Sequence, residues 1–293
     1  MEETIVKQES KLSKYLKLFL KLAVTVVCFW WISKKIDFIQ AKNALLKADW
    51  LFLFIALLLL AFSKLLSSFR LNIYFRNINI HLPEWNNIKL YWLGMFYNLF
   101  LPGSISGDAY KVILLKKKYN ASYKKTSAAV LLDRFSGLLA LGLIMSVYGV
   151  IVLDNLLYDI LLIVGAVTAF VSLYFIIRIY FKDFLTGFWA TFFWGTGVQL
   201  SQVVCIYCIM RALHLSSDQT EWIFIFLAAA IVSVLPISLG GGLGPRELVF
   251  LKGAMFFGLD TNIGVTVGLL FSLCTIVASL PGLYFVFHDP LKE

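Results

Sequence analysis

Long apolar runs alternate with short polar and charged segments along most of the chain. A helix that crosses the hydrocarbon core of a bilayer needs about 20 mostly apolar residues. The polar residues that resume at Arg70 predict that the second run ends at Phe69. The pattern predicts an all-α, polytopic transmembrane helix bundle with spans over residues 22–32, 50–69, 127–153, 156–177, 188–210, 222–239 and 261–287.

One further run, residues 89–101, is apolar and aromatic but short, and it ends at Pro102 and Gly103. Thirteen residues are too few to cross a bilayer comfortably, so the run predicts a buried or re-entrant element. Loop charges agree with this interpretation. Lysines and arginines concentrate in cytoplasmic loops, and a cytoplasmic N-terminus fits their distribution only when residues 89–101 do not cross.

The composition supports a membrane class. Hydrophobic residues make up 60% of the 293 residues and charged residues only 15%, whereas soluble domains are roughly 25% charged. The net charge of +9 is explained by lysines on the cytoplasmic side and does not indicate nucleic-acid binding. We therefore expect a single integral membrane domain over residues 1–293 in a cytoplasmic (inner) membrane of bacterial type, with residues 1–21 as a basic cytoplasmic lead.

Two segments resemble each other and suggest an internal repeat. Residues 101–107 and 235–241 both fit the pattern L-P-x-S-[I/L]-x-G, and each is followed by a base, Lys111 or Arg246. Proline and glycine break helices, and broken backbone at membrane depth is tolerated only where it is buried or lines a wet cavity. Paired broken or re-entrant helices of this kind point to a substrate site, and new helix starts favour a phosphate. The alternative is two helix-ending loops with a chance match.

Charged residues close to these breaks are the candidate site. Asp108 and Lys111 are three residues apart and can pair on one helix face. Charges inside a span usually face a bundle interior or a cavity, although an interhelical salt bridge explains them equally well. The predicted substrate-binding residues are Ser104, Asp108, Lys111, Asp133, Arg134, Ser238, Arg246 and Glu247.

No cofactor or metal site is predicted. The glycine run at residues 240–244 meets neither the P-loop nor the dinucleotide-binding signature. The three histidines, His81, His214 and His288, are widely scattered.

The segments 101–108, 133–137 and 235–247 together resemble the lysylphosphatidylglycerol synthase transmembrane-region family of flippase-like membrane proteins. In the full-length synthases of that family a soluble domain transfers lysine to the lipid, and the membrane region moves the product between leaflets. The resemblance implies a stand-alone member without the aminoacyl-transfer domain, because the chain ends straight after its last span. Pro245 before Arg246 and an extra glycine in the run depart from the family pattern.

Three functions follow as hypotheses. The first is a lipid flippase in which Lys111, Arg134 and Arg246 attract the phosphate of an anionic or lipid-linked phosphate lipid. The second is a membrane-embedded transferase acting on a polyprenyl phosphate or phospholipid, with Asp108 or Glu247 as general base. The third is a scaffold without turnover that binds a lipid- or glycan-synthesis enzyme. A cavity that is open to one leaflet and has a basic lining favours the first, and salt bridges that leave no cavity favour the third.

Overall fold

The computed structural model describes residues 38–101, 105–216, 218–234 and 245–292. Within these ranges the chain is α-helical and contains no β-strand, which confirms the predicted all-α class. The helices are α1 (Phe38–Lys47), α2 (Trp50–Arg76), α3 (Glu84–Phe100), α4 (Ser106–Tyr119), α5 (Tyr123–Val152), α6 (Leu156–Tyr180), α7 (Phe188–Ala212), α8 (Glu221–Val234), α9 (Pro245–Phe256), α10 (Thr261–Ser279) and α11 (Pro281–Phe287).

Five helical segments of the described ranges are long and apolar enough to cross a membrane. They are α2, α5, α6, α7 with the 3₁₀ turn before it, and α10 continued by α11. The protein is therefore a multi-pass membrane protein. The predicted span 22–32 lies outside the described residues, and the predicted span 222–239 is described only as far as Val234.

The second predicted span is wrong at its end. Helix α2 continues through Arg70 and Asn72 to Arg76, and both Arg70 and Asn72 are buried. These polar side chains stay inside the helix because the fold supplies partners: Asp133 for Arg70, and the carbonyl of Leu82, 3.2 Å from the Asn72 amide nitrogen. Buried polar groups with hydrogen-bond partners do not end a helix.

The short element predicted at 89–101 is helix α3. It packs against α2, α4 and α11, and its contact with α11 is very close. A Cβ at Gly282 would lie 2.3 Å from the carbonyl oxygen of Trp92, and the Trp92 indole nitrogen donates to the carbonyl of Ala278 at 3.0 Å. Glycine is therefore required where α11 crosses α3. That α3 re-enters the membrane without crossing stays a prediction.

The internal repeat is not confirmed. The structure describes Leu101 and residues 105–107 of the first copy, and residues 235–241 lie outside the described part. Among the described elements, α4 is the first helix after one copy and α9 is the first after the other.

The centre of the bundle is the pair α2 and α7, which contact each other along much of their length. Around them, α8, α9 and α10 contribute to one large apolar core that includes Trp222, Phe226 and Phe250. Helix α6 is peripheral, with Ile177 as its single buried residue. Side-chain caps fix several helix starts, for example Asp260, whose carboxylate accepts from the backbone N–H of Asn262 at 2.8 Å. Polar side chains from several of these helices also lie close together in the interior of the bundle.

Candidate functional site

A buried ion pair joins α2 to α5. The Nε atom of Arg70 lies 2.7 Å from Oδ1 of Asp133, and the two side chains are only 6% and 10% exposed. Two glycines make room for the guanidinium. A Cβ at Gly137 or Gly195 would lie 2.9 Å or 3.3 Å from Arg70 Nη1. The small residues on α5 and α7 therefore let a large cation reach the interior of the bundle.

Asp108, in the first turn of α4, holds two cations. Its Oδ1 lies 2.9 Å from Lys111 Nζ and its Oδ2 lies 2.5 Å from Arg134 Nε. Burial by itself would raise the pKa of Asp108, but the charges and hydrogen bonds of Lys111 and Arg134 hold this pKa below its usual value. The backbone N–H of Gly107 donates to Asn98 Oδ1 at 2.8 Å and ties this turn to α3. The two cations thus favour the ionised carboxylate and hold it in place.

The aliphatic part of Lys111 lies directly over Gly94 of α3. A Cβ at Gly94 would lie 2.2 Å from Lys111 Cε, and a Cβ at Gly107 would lie 1.9 Å from the Gly94 carbonyl oxygen. The Lys111 ammonium lies 4.6 Å from the centroid of the Tyr91 ring, a cation–π distance. The close crossing of α3 and α4 therefore depends on two glycines and positions Lys111 against both Asp108 and Tyr91.

Arg246, the second residue of α9, is buried against α10. Its Nη1 donates to Ser272 Oγ at 3.0 Å, and the Ser272 hydroxyl donates to Glu247 Oε1 at 2.8 Å. The centre of the guanidinium lies 4.9 Å from the centroid of the Phe271 ring. Among the described parts of the chain, the buried Nε of Arg246 has no hydrogen-bond partner. One N–H donor of this guanidinium is therefore left for something else.

Lys64, in the middle of α2, is the least compensated of these cations. Within the described residues its ammonium forms no ion pair and no hydrogen bond with a side chain. Two further cations, Arg246 and Arg70, lie close enough to repel this ammonium. An unpaired charge inside a membrane protein is costly and usually marks a functional position.

The charged side chains described above, except that of Glu247, border one cavity of about 280 Å³, lined by residues of α2 to α5 and α7 to α10. Its described lining contains five basic side chains and two carboxylates, namely Lys64, Arg70, Lys111, Arg134, Arg246, Asp108 and Asp133. Uncharged polar groups such as Gln199 and Gln202 complete it. The amide nitrogen of Gln199 also donates to the carbonyl of Gly137 at 3.2 Å. Because basic groups outnumber acidic ones, the cavity is suited to an anion.

A second, apolar cleft of about 330 Å³ lies between α5 and α6. The cleft is open at Gly142 and Gly165, because a Cβ at either position would meet no atom of the described residues within 4 Å. Leu138 lines both this cleft and the charged cavity. The polar cavity and the apolar cleft are therefore neighbours.

The model of the lysylphosphatidylglycerol synthase TM region family matches residues 18–282 of the chain. The chain belongs to this family. It is also 30% identical, over 125 residues, to the UPF0104 membrane protein PH1989 of Pyrococcus horikoshii. That alignment covers 42% of the chain and only 36% of the relative's length. No solved structure matches the chain.

In this family member, the structure brings most of the sequence-predicted residues together. Five of them line the cavity, namely Asp108, Lys111, Asp133, Arg134 and Arg246. Glu247 is linked to Arg246 through Ser272, while Ser104 and Ser238 lie outside the described residues. That these residues bind substrate stays a prediction.

Sequence reasoning missed Lys64 and Arg70 as cavity residues. Lys64 is a charge inside an apolar run, which is the same signal that singled out Asp133. Arg70 follows Phe69 directly and was assigned to the connector after the span. A rule that extended the predicted span 50–69 until its first turn signal would have placed Arg70 in the same helix as Lys64.

Proposed function

We propose that this protein is a flippase-type lipid transporter whose charged cavity receives the phosphate headgroup of an anionic or lipid-linked phosphate lipid. The observation that carries the proposal is the described lining of the cavity, in which five basic side chains face two carboxylates. Burying basic side chains away from water costs free energy, and an anion bound between them offsets that cost. A phosphate headgroup supplies that negative charge within a membrane.

The apolar cleft supports a lipid over a soluble anion. A headgroup in the cavity needs a route for its hydrocarbon chains, which cost about 0.8 kcal/mol per CH₂ to expose to water. The cleft between α5 and α6 has an apolar lining, and Leu138 borders both spaces. A lipid bound in this way keeps its chains among apolar side chains while its phosphate lies among the basic ones.

The ion pairs favour transport over the transferase hypothesis. A general base must take up a proton, yet Asp108, one of the two candidate bases, is held by two cations, Lys111 and Arg134. Such pairing stabilises the ionised carboxylate and makes it a weak base. Glu247, the other candidate base, accepts a hydrogen bond from Ser272. The scaffold hypothesis expected salt bridges that leave no cavity, whereas here the salt bridges line one.

The setting that fits this function is a cytoplasmic (inner) membrane with a cytoplasmic N-terminus. The support is the positive-inside distribution of lysines in the sequence. Membrane lipids are then the direct partners. We also propose a protein partner, an enzyme of lipid or glycan synthesis that produces or consumes the transported lipid.

The experiment is movement of a fluorescent phosphatidylglycerol between the leaflets of liposomes that contain the purified protein. We compare wild type with Arg246→Gln, which removes a cavity cation, and with Arg178→Gln, which removes an exposed arginine of α6. The proposal expects movement above that in protein-free liposomes, lost in Arg246→Gln and retained in Arg178→Gln. Equal rates in protein-free and wild-type liposomes, for phosphatidylglycerol and for a fluorescent polyprenyl phosphate, would refute it.

A further inference from the structure

We infer that the phosphate is bound by Lys64 and Arg246, and not by the ion-paired cations Lys111 and Arg134. This inference rests on the proposed function and names the part of the cavity that performs it. It differs from the sequence-based expectation, which placed Lys111 and Arg134 at the phosphate and did not include Lys64.

The first argument concerns which cations of the cavity already form an ion pair with a carboxylate. Asp133 pairs with Arg70, and Asp108 pairs with both Lys111 and Arg134, at distances of 2.5–2.9 Å. Each of these cations therefore has a carboxylate, and binding an external anion would compete with an existing ion pair. In this described part of the cavity the cations and the carboxylates bind each other, so this part of the lining is held in place.

Lys64 and Arg246 differ in this respect. Within the described residues Lys64 has no ion-pair partner, and two cations, Arg246 and Arg70, lie close enough to repel its ammonium. Arg246 is 6% exposed, its Nη1 donates to a neutral hydroxyl, and its buried Nε has no hydrogen-bond partner among the residues that the structure describes. Lys64 and Arg246 carry like charges, which repel each other more strongly at low dielectric. An anion between Lys64 and Arg246 removes that repulsion and satisfies the Nε donor.

The chemistry of these donors fits a phosphate. Lysine offers an ammonium with three N–H donors and arginine a planar set of five, and neither offers an acceptor. A phosphate group has several acceptor oxygens pointing in different directions, so it can bind both side chains at once. Arg246 also lies in the first turn of α9, where the helix dipole adds positive potential and favours negative charge.

The same phosphate chemistry could come from a lipid headgroup or from free phosphate, so the test includes both. Purified protein in dodecylmaltoside micelles is titrated with dioleoyl phosphatidic acid, with dioleoylglycerol, and with inorganic phosphate. The inference expects phosphatidic acid to bind and dioleoylglycerol, which lacks the phosphate, to bind far more weakly. Inorganic phosphate that binds as tightly as phosphatidic acid would keep the phosphate site but assign it to the free ion. No binding of either phosphate ligand would overturn the inference.

The variants are Lys64→Met and its matched control Lys111→Met. Loss of a charged hydrogen bond should weaken binding of phosphatidic acid about 10- to 100-fold in Lys64→Met, and Lys64→Arg should restore it. The melting temperature separates this role from a structural one. Without ligand, Lys64→Met should melt no lower than wild type, because no ion pair is lost, whereas Lys111→Met should melt lower, because Asp108 loses a partner. Wild-type affinity in Lys64→Met, or a lower melting temperature of that variant, would overturn the inference.

Failure of this inference and failure of the proposed function give different results. If phosphatidic acid binding depends on Lys64 but liposomes show no lipid movement, the phosphate site stands and the transport proposal falls. If lipid movement persists at the wild-type rate in Lys64→Met, transport stands and the assignment of the phosphate to Lys64 falls.

Discussion

Arg70 and Asp133 are 63 residues apart in sequence, yet Arg70 Nε lies 2.7 Å from Asp133 Oδ1 in the interior of the bundle. This ion pair ties α2 to α5 and forms one wall of the charged cavity. A buried pair of this kind couples the stability of the fold to the electrostatics of the site. Both can therefore be tested by substitution.

Asp133→Asn should destabilise the protein strongly. The substitution leaves the Arg70 guanidinium buried without its counter-charge, and breaking a buried pair in this way costs about 3–5 kcal/mol. Unfolding in mixed detergent micelles measures the change in the free energy of unfolding. The control is Asp183→Asn, which breaks the pair with Lys125, whose side chains are 57% and 48% exposed for Lys125 and Asp183. This exposed pair should contribute less than about 1 kcal/mol.

A double substitution tests why Asp133→Asn loses stability. Arg70→Leu combined with Asp133→Leu removes both charges at once, so we expect it to recover most of the stability lost in Asp133→Asn. If the double variant is as unstable as the single one, packing and not uncompensated charge explains the effect.

Gly137→Ala should displace the Arg70 side chain. The new Cβ would lie 2.9 Å from Arg70 Nη1, which is too close without a shift of the guanidinium, and such overpacking costs about 1–3 kcal/mol. Gly142→Ala, five residues further along α5, is the matched control because its Cβ would meet no atom within 4 Å. That variant should be neutral or more stable, by up to about 1 kcal/mol, because alanine favours helix over glycine. Equal effects of the two substitutions would contradict the described position of Arg70.

Acid should weaken the contact between α4 and the residues that follow α11. Burial by itself would raise the pKa of Asp289. Hydrogen bonds from Lys118 and from the backbone N–H of Leu291, with the charge of Lys117, instead hold this pKa below its usual value. The folded pKa thus lies below the unfolded value of about 3.9. The stabilisation is present above about pH 4 and is lost as the pH falls through the folded pKa.

The test is Asp289→Asn followed by thermal unfolding between pH 7 and pH 3. Because the Lys118–Asp289 pair is partly exposed, the variant should lose less than about 1 kcal/mol at pH 7. The difference from wild type should shrink as the pH falls below about 4. A difference that is constant over this range would show that ionisation of Asp289 does not contribute.

The sequence predicted the class of the protein and much of its charged site. Apolar runs located the long helices, and the three-residue spacing of Asp108 and Lys111 indicated the ion pair that forms at 2.9 Å. The partner of Asp133 was not predictable, because a contact between Arg70 and Asp133 depends on how α2 and α5 pack. Lys64 did carry a sequence signal, a charge inside an apolar run, but that it pairs with no carboxylate of the described residues is a property of the folded neighbourhood.

The most direct test of the central claim, that lipid passes through the charged cavity, is to narrow that cavity without changing its charge. Ala230 of α8 lines the cavity, whereas Ala228 on the same helix lines a different, apolar groove. Transport of fluorescent phosphatidylglycerol is measured in liposomes for Ala230→Phe and Ala228→Phe, after both are shown to be monodisperse with melting temperatures near that of wild type. The account predicts that Ala230→Phe slows lipid movement several-fold while Ala228→Phe does not. Wild-type transport by a folded Ala230→Phe protein would contradict it.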